Sequence, residues 1–167
     1  MSVELLETSV SAADPLDVVE AIASETDIGF ERVDPQELHL TVTGGWSDLT
    51  LWFAWRPEYQ TLQVGAPIEM TAPKERRDDA CRLLAMVNEN LWLGHFDIWA
   101  DDGSIVYRHA AVLPEDASFD AEQAQLLIQG ALEAYDRFYP AFDLLLNDKK
   151  SPEDAMALSL FETAGSA

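Results

Sequence analysis

Residues 38–68 read LHLTVTGGWSDLTLWFAWRPEYQTLQVGAPI, and their alternation of apolar and polar side chains decides the fold. A side-chain period of two predicts strands that bury one face, and the stretch contains three such runs. Gly44-Gly45 and Arg56-Pro57-Glu58 separate the runs with turn residues, so neighbouring strands are predicted to be antiparallel. The apolar positions expected in the core are Leu38, Leu40, Val42, Leu49, Leu51, Phe53, Trp55, Leu62, Val64, Ala66 and Ile68.

Helical periodicity occurs on both sides of this stretch. Asp14-Pro15 is typical of an N-cap followed by a proline at the first helical position, and Gly29 ends that helix. Residues 74–92 return to helical spacing. A long helix is predicted from about Asp120, with a kink at Pro140.

The remaining segments complete the order of elements. Residues 95–100 and 104–112 flank Asp101-Asp102-Gly103, which is a hairpin signature, and residues 30–33 form a shorter strand. A last helix begins at Ser151-Pro152. The order is helix, three or four strands, helix, two strands and two helices. It predicts an α+β fold, an antiparallel sheet with helices packed on it, in a single domain over residues 1–167.

Charge restricts the classes of partner. The chain has 31 acidic and 10 basic residues, a formal net charge of −21. Nucleic acid and anionic membranes both require a basic face, so neither is expected as a partner. The sequence shows no membrane-spanning run and no signal peptide, and Cys81 is its single cysteine; these features predict a cytoplasmic protein. The excess of acidic residues reflects either the function of the protein or a salty host environment.

No catalytic motif is recognisable in the sequence. A phosphate-binding glycine loop, a Walker motif and a nucleophile elbow are all missing, so we expect no catalytic residue and no cofactor. His95 and Asp97 share one side of a predicted strand, and His109 could face them across the hairpin as a metal site. A cross-strand polar pair explains the same residues, and we expect no metal.

Aromatic residues and the single thiol are further candidates. Trp46 lies beside a turn, and Trp52 and Trp99 point away from the apolar stripes of their strands. These three tryptophans could line a recognition groove or a second packed face. Cys81 could be a reactive thiolate near Arg77 or an inert, packed side chain.

The start of the helix at 74–92 concentrates positive charge. Four of the ten basic residues lie there, interleaved with acidic ones. They form either a solvated helix end with mixed charge or a docking site for an acidic partner. The four residues are Lys74, Arg76, Arg77 and Arg82.

The same helix has a second apolar stripe. Cys81, Ala85 and Trp92 lie about 100° from the stripe that faces the core, which is more apolar surface than one sheet contact requires. This stripe predicts a homodimer interface. The C-terminal helix at 152–162 is the alternative cover for the stripe.

Several segments resemble the YbjN family. They are LWLGHFDIW at 91–99, RH at 108–109, YPAF at 139–142, KSPEDA at 150–155 and LFET at 160–163, with DPLD at 14–17 and FER at 30–32. The family is described as sensory transduction regulators of bacteria. Its fold is similar to that of type III secretion chaperones, small α+β proteins that often dimerise and hold client segments. The resemblance implies this fold and carries over no catalytic residue.

These observations predict a non-enzymatic interaction module. We expect a cytoplasmic chaperone-like adaptor or regulator that binds a protein segment. The alternative is a small-molecule sensor with a pocket between sheet and helices. A third hypothesis is a hydrolase or metalloprotein that uses His95, Asp97 and His109.

Overall fold

A computed structural model describes residues 14–164, with side chains as far as Phe161. The helices are α1 (Pro15–Glu25), α2 (Arg77–Asn88), α3 (Ala121–Leu146) and α4 (Pro152–Ala164). The strands are β1 (Gly29–Asp34), β2 (Glu37–Thr43), β3 (Asp48–Arg56), β4 (Thr61–Thr71), β5 (His95–Ile98) and β6 (Ser104–Val112). This element order confirms the predicted α+β class and the short strand at 30–33.

The six strands form one antiparallel sheet in the order β1-β2-β3-β4-β6-β5. Leu40 pairs with Leu51, and Phe53 pairs with Val64, so the apolar stripes lie side by side on one face. Helices α1, α2 and α3 pack against this face and bury its strand residues in one core, and α4 packs on α2 and α3. The opposite face, which we call the open face, carries exposed residues such as Thr41 and Thr50.

The first and third helices begin with side-chain caps, and the one at Asp14 was predicted from the sequence. Asp14 Oδ1 accepts a hydrogen bond from Leu16 N at 2.9 Å, and Pro15 occupies the first turn. Asp120 and Gln123 form a reciprocal capping box at the start of α3. These bonds satisfy backbone N–H groups that the helix itself leaves without partners. Pro140 lies inside α3, which continues to Leu146.

The predicted helix over 74–92 is too long at both ends. Residues 74–76 form a 3₁₀ turn, and α2 ends at Asn88, so Trp92 lies in a loop and not on the helix. The chain leaves the helix there because the Asn88 side chain bonds the backbone of Phe96 on β5.

The prediction that Trp55 is a core residue is confirmed only in part. Trp55 lies on the inward stripe of β3, but it is only half-buried at the margin of the core. The first turn of α1 borders this end of the sheet and leaves Trp55 partly exposed.

Candidate functional site

The predicted interface residues Cys81, Ala85 and Trp92 all remain exposed. Ala80, Leu83, Leu84 and Val87 form the buried stripe of α2. Helix α4 packs against α2, yet it leaves Cys81 and Ala85 open to solvent. The C-terminal helix therefore does not cover the second apolar stripe, which was the alternative to a homodimer.

Trp92 is 100% exposed, and it is held on a loop that is fixed at several points. The Asn88 amide donates to Phe96 O at 3.0 Å and accepts from Phe96 N at 2.8 Å. The Tyr107 hydroxyl donates to Leu93 O at 3.2 Å. Gly94 adopts φ 67°, a left-handed conformation that favours glycine. These contacts hold the backbone of the loop that carries Trp92.

A shallow apolar groove lies beside this loop. It has a volume of about 150 Å³ and runs between residues 90–93 and helix α3. Leu93 is 47% exposed and lies over Gly130, where a Cβ would come 3.6 Å from its Cδ1 atom. The local sequence pattern does not indicate a role for Leu93, because the groove forms only where its loop meets helix α3.

Trp46 fastens the β2–β3 turn to helix α3. Its indole stacks on Tyr139 with ring centroids 5.8 Å apart, and its Nε1 donates to Asp136 O at 2.9 Å. Gly45 N donates to Asp136 Oδ1 at 2.6 Å beside it. Trp46 thus has structural partners on the helical side of the sheet.

Trp52 and Trp99 lie on the open face but not together. Trp52 lies across Gly65, where a Cβ would come 2.0 Å from its Cε2 atom. Trp99 follows β5 at the sheet edge, and its backbone N donates to Ser104 O at 2.9 Å. Three strand steps separate β3 from β5, about 14 Å at ordinary strand spacing. The three predicted recognition tryptophans therefore do not share one groove.

The predicted metal candidates do not converge. His95 pairs with Arg108 in the β5–β6 ladder, so His109 points to the other face of the sheet. Asp97 Oδ2 lies 3.2 Å from His95 Nε2 and 3.1 Å from Arg108 Nη1. Burial lowers the pKa of His109, and the nearby His95 adds to this effect. Within residues 14–164, no three His, Cys, Asp or Glu side chains are grouped for a metal ion.

Three of the four cations predicted at the start of α2 form bonds within the chain. Arg76 Nη2 donates to Leu145 O at 3.0 Å and to Lys150 O at 2.7 Å. Arg77 donates to the carbonyls of residues 72 and 100, and Arg82 pairs with Glu153. These bonds favour a structural role over docking of an acidic partner.

Larger cavities also lie on the sheet, one of about 420 Å³ on the open face at Thr41 and Thr50 and two at other margins. The first of these two, of about 360 Å³, opens where the β3–β4 ladder stops at Trp52↔Gly65. Pro67 follows, and a proline has no N–H with which to continue a ladder. Tyr135 of α3 lines this cavity, and its hydroxyl bonds Ser47 Oγ at 2.7 Å. Burial raises the pKa of Tyr135.

The second cavity, of about 450 Å³, lies at the end of the sheet beside Trp55. Its walls come from the first turn of α1, the β3–β4 turn and the loop between β6 and α3. We call it the end pocket. The apolar residues that line it are Pro15, Trp55, Pro57, Leu113, Pro114 and Phe119.

No helix in residues 14–164 has the length and hydropathy needed to cross a membrane.

Comparison with known proteins agrees with this architecture. Over residues 15–144 the chain matches the YbjN family, described as "putative bacterial sensory transduction regulator". The fold is similar to a crystal structure of YbjN, "a putative transcription regulator from E. coli", with a TM-score of 0.53 and 14% sequence identity. The likeness covers 72% of this chain and 85% of that chain, and at this identity it shows a shared fold. No curated protein matches the sequence.

Proposed function

The chain belongs to the YbjN family, and we propose that it is a chaperone-like adaptor, a non-enzymatic module that binds a protein segment in the cytoplasm. The description of the family as a bacterial regulator supports a role in signalling. The net charge of −21 supports a protein partner over nucleic acid or an anionic membrane.

The fully exposed indole of Trp92 is the observation that carries this proposal. Tryptophan is enriched among the residues that dominate binding energy at protein interfaces. An anchor that is already fixed before binding also loses less conformational entropy when a partner packs on it. The bonds from Asn88 and Tyr107 fix the backbone of the Trp92 loop, so that the indole alone remains to be ordered when a partner binds.

We propose that a second copy of the chain binds the exposed surface formed by α2 and the loop that carries Trp92. Cys81 and Ala85 lie one turn apart on an exposed face of α2, and the contact that we propose extends from them to exposed Trp92 on the loop after the helix. Helix α4, which packs on α2, adds exposed Leu158 and Phe161. Two-fold contacts are the commonest way in which such surfaces are buried.

Photo-crosslinking from position 92 tests the proposal. A photoreactive amino acid replaces Trp92 in the full chain, and the same amino acid replaces Tyr59, an exposed aromatic residue of another turn, as the control. A crosslinked homodimer or a crosslinked second protein, identified by mass spectrometry and absent from the Tyr59 sample, supports an interaction module. Equal or no crosslinking at both positions overturns it.

A small-molecule sensor is the second candidate, and the cavity at the β3–β4 opening favours it. This cavity of about 360 Å³ reaches Tyr135 and is therefore bounded by both sheet and helix. Its size lies within the range of ligand sites. A thermal-shift screen with polar metabolites tests this function. A shift that disappears in Glu69→Gln, a residue that lines the cavity, supports it, and no shift with any metabolite counts against it.

A further inference from the structure

We propose that the end pocket binds a basic peptide segment through one inserted apolar side chain. This inference rests on the proposed adaptor function and gives it a second contact surface, separate from Trp92. The pocket has the apolar walls, the volume and the surrounding charge that such a segment requires.

The walls are an uncovered margin of the hydrophobic core. Trp55, Leu113 and Phe119 pack against the core and remain only partly buried. The first turn of α1 and the loop that precedes α3 border this end of the sheet and leave the pocket open to the surface. Apolar surface left in water is what an inserted side chain would cover with a gain in free energy.

The pocket is formed before any partner arrives. Leu113 N donates to Gln60 O at 2.7 Å, which joins the covering loop to the β3–β4 turn. Ala117 N donates to Pro114 O at 2.9 Å and folds the loop back on itself. Proline also fixes the backbone of both segments, at residues 57 and 114. A preformed site limits the ordering cost of binding.

The volume fits part of a peptide. About 450 Å³ falls within the range of sites for drug-sized ligands, and the pocket is open along the surface. One large aliphatic or aromatic side chain can enter while its backbone continues along the exposed residues Glu115 to Ser118.

The charged residues around the pocket opening determine which charge the bound segment should carry. Glu115 and Asp116 line the pocket, and Glu58 follows Pro57 in the facing turn. The carboxylate of Asp14 is already paired with Arg32 at 2.5 Å.

Among the basic residues, Arg56 is the nearest in sequence to the residues that line the pocket, and its Nη1 donates to Trp55 O at 3.4 Å. Carboxylates therefore outnumber cations at the opening, and lysine or arginine residues beside the inserted side chain would be attracted.

Titration with synthetic peptides tests the inference on the full chain. The probe has a central leucine–phenylalanine pair between lysine triplets, and the comparison peptides carry glutamate triplets or a serine–glycine centre. We expect the lysine peptide to shift the NMR signals of the Trp55 indole and of Phe119. We expect binding at least about tenfold weaker for each comparison peptide.

Substitutions in the pocket test whether the peptide binds there. Glu115→Lys/Asp116→Lys should weaken binding about tenfold, because the exposed loop keeps its backbone bonds while its charge reverses. Ala117→Phe fills the opening and should weaken binding similarly. Glu25→Lys/Glu31→Lys, a double reversal at exposed residues away from the pocket, should leave binding unchanged.

The outcomes separate this inference from the adaptor function. If the peptide shifts the NMR signals of Trp92, and the pocket variants bind it with unchanged affinity, the end-pocket proposal is wrong and the adaptor proposal still stands. Binding of a simple amine such as dodecylamine but of no peptide overturns it in favour of a small-molecule site. Loss of a dimer in Glu115→Lys/Asp116→Lys overturns it in favour of a second copy. The crosslinking result at position 92 does not depend on any of these.

Discussion

The side chain of Asn88 bonds both backbone polar groups of Phe96. Its Nδ2 donates to Phe96 O at 3.0 Å, and its Oδ1 accepts from Phe96 N at 2.8 Å. An asparagine at the end of α2 thus acts as a strand partner for β5 and closes the loop that carries Trp92.

Asn88→Ala should lower the free energy of unfolding by about 2 kcal/mol, because two bonds to partly buried backbone groups are lost. It should also accelerate hydrogen exchange in residues 90–94. Asn90→Ala is the matched control, since its amide makes one exposed bond to Met86 O at 2.8 Å. Urea unfolding measures both variants. Equal losses in the two would contradict the role assigned to Asn88.

Gly65→Ala should destabilise the sheet by about 1–3 kcal/mol, because a new Cβ would collide with the indole of Trp52. Gly29→Ala is the control, since a Cβ there meets no atom within 4 Å. Adding Trp52→Leu to Gly65→Ala should restore part of the loss. Thermal unfolding of the double-mutant cycle measures this coupling, and strictly additive losses would show that the two residues do not interact.

Register explains which predictions succeeded. The alternating runs at 38–68 predicted β2, β3 and β4 correctly, because each buries one full face. The sequence left open whether His109 faces His95 and Asp97, and the ladder shows that it does not, because His95 pairs with Arg108. A change of one residue in register moves a side chain to the other face, and no local pattern fixes it.

Tertiary contacts explain the features that local patterns could not predict. Leu91 and Trp92 continue the helical spacing, yet α2 stops at Asn88 because that side chain bonds a residue further along the chain. The end pocket is equally non-local. Trp55 has the spacing of a core residue, but the segments beside it, the first turn of α1 and the loop before α3, are distant in sequence and leave it half-buried.

The alkaline limit of stability should depend on Tyr107. Burial raises the pKa of its hydroxyl from 10.0 to about 12 in the folded chain. The unfolded chain therefore loses the proton first, so the stabilisation is complete below pH 10 and is lost as the pH rises towards 12. Tyr107→Phe should flatten this part of the stability profile and cost about 1 kcal/mol at neutral pH, through the lost bond to Leu93 O.

Ultraviolet difference spectra and urea unfolding across this pH range measure the effect. Tyr59→Phe is the control, because the Tyr59 side chain is largely exposed. The same alkaline slope in Tyr107→Phe and in the unchanged chain would contradict the assignment.

Trp92→Glu should separate association from folding. The indole is fully exposed in the single chain, so its loss should change the free energy of unfolding of a monomer by less than about 0.5 kcal/mol. If Trp92 anchors a two-fold contact, the dimer should dissociate at least about thirtyfold more readily, because interface anchors contribute 2 kcal/mol or more and the new carboxylates repel. Multi-angle light scattering at micromolar concentration measures the mass, and Tyr59→Glu controls for the added charge. A mass of one chain for the unchanged protein would rule out the dimer and leave Trp92 as an anchor for another protein.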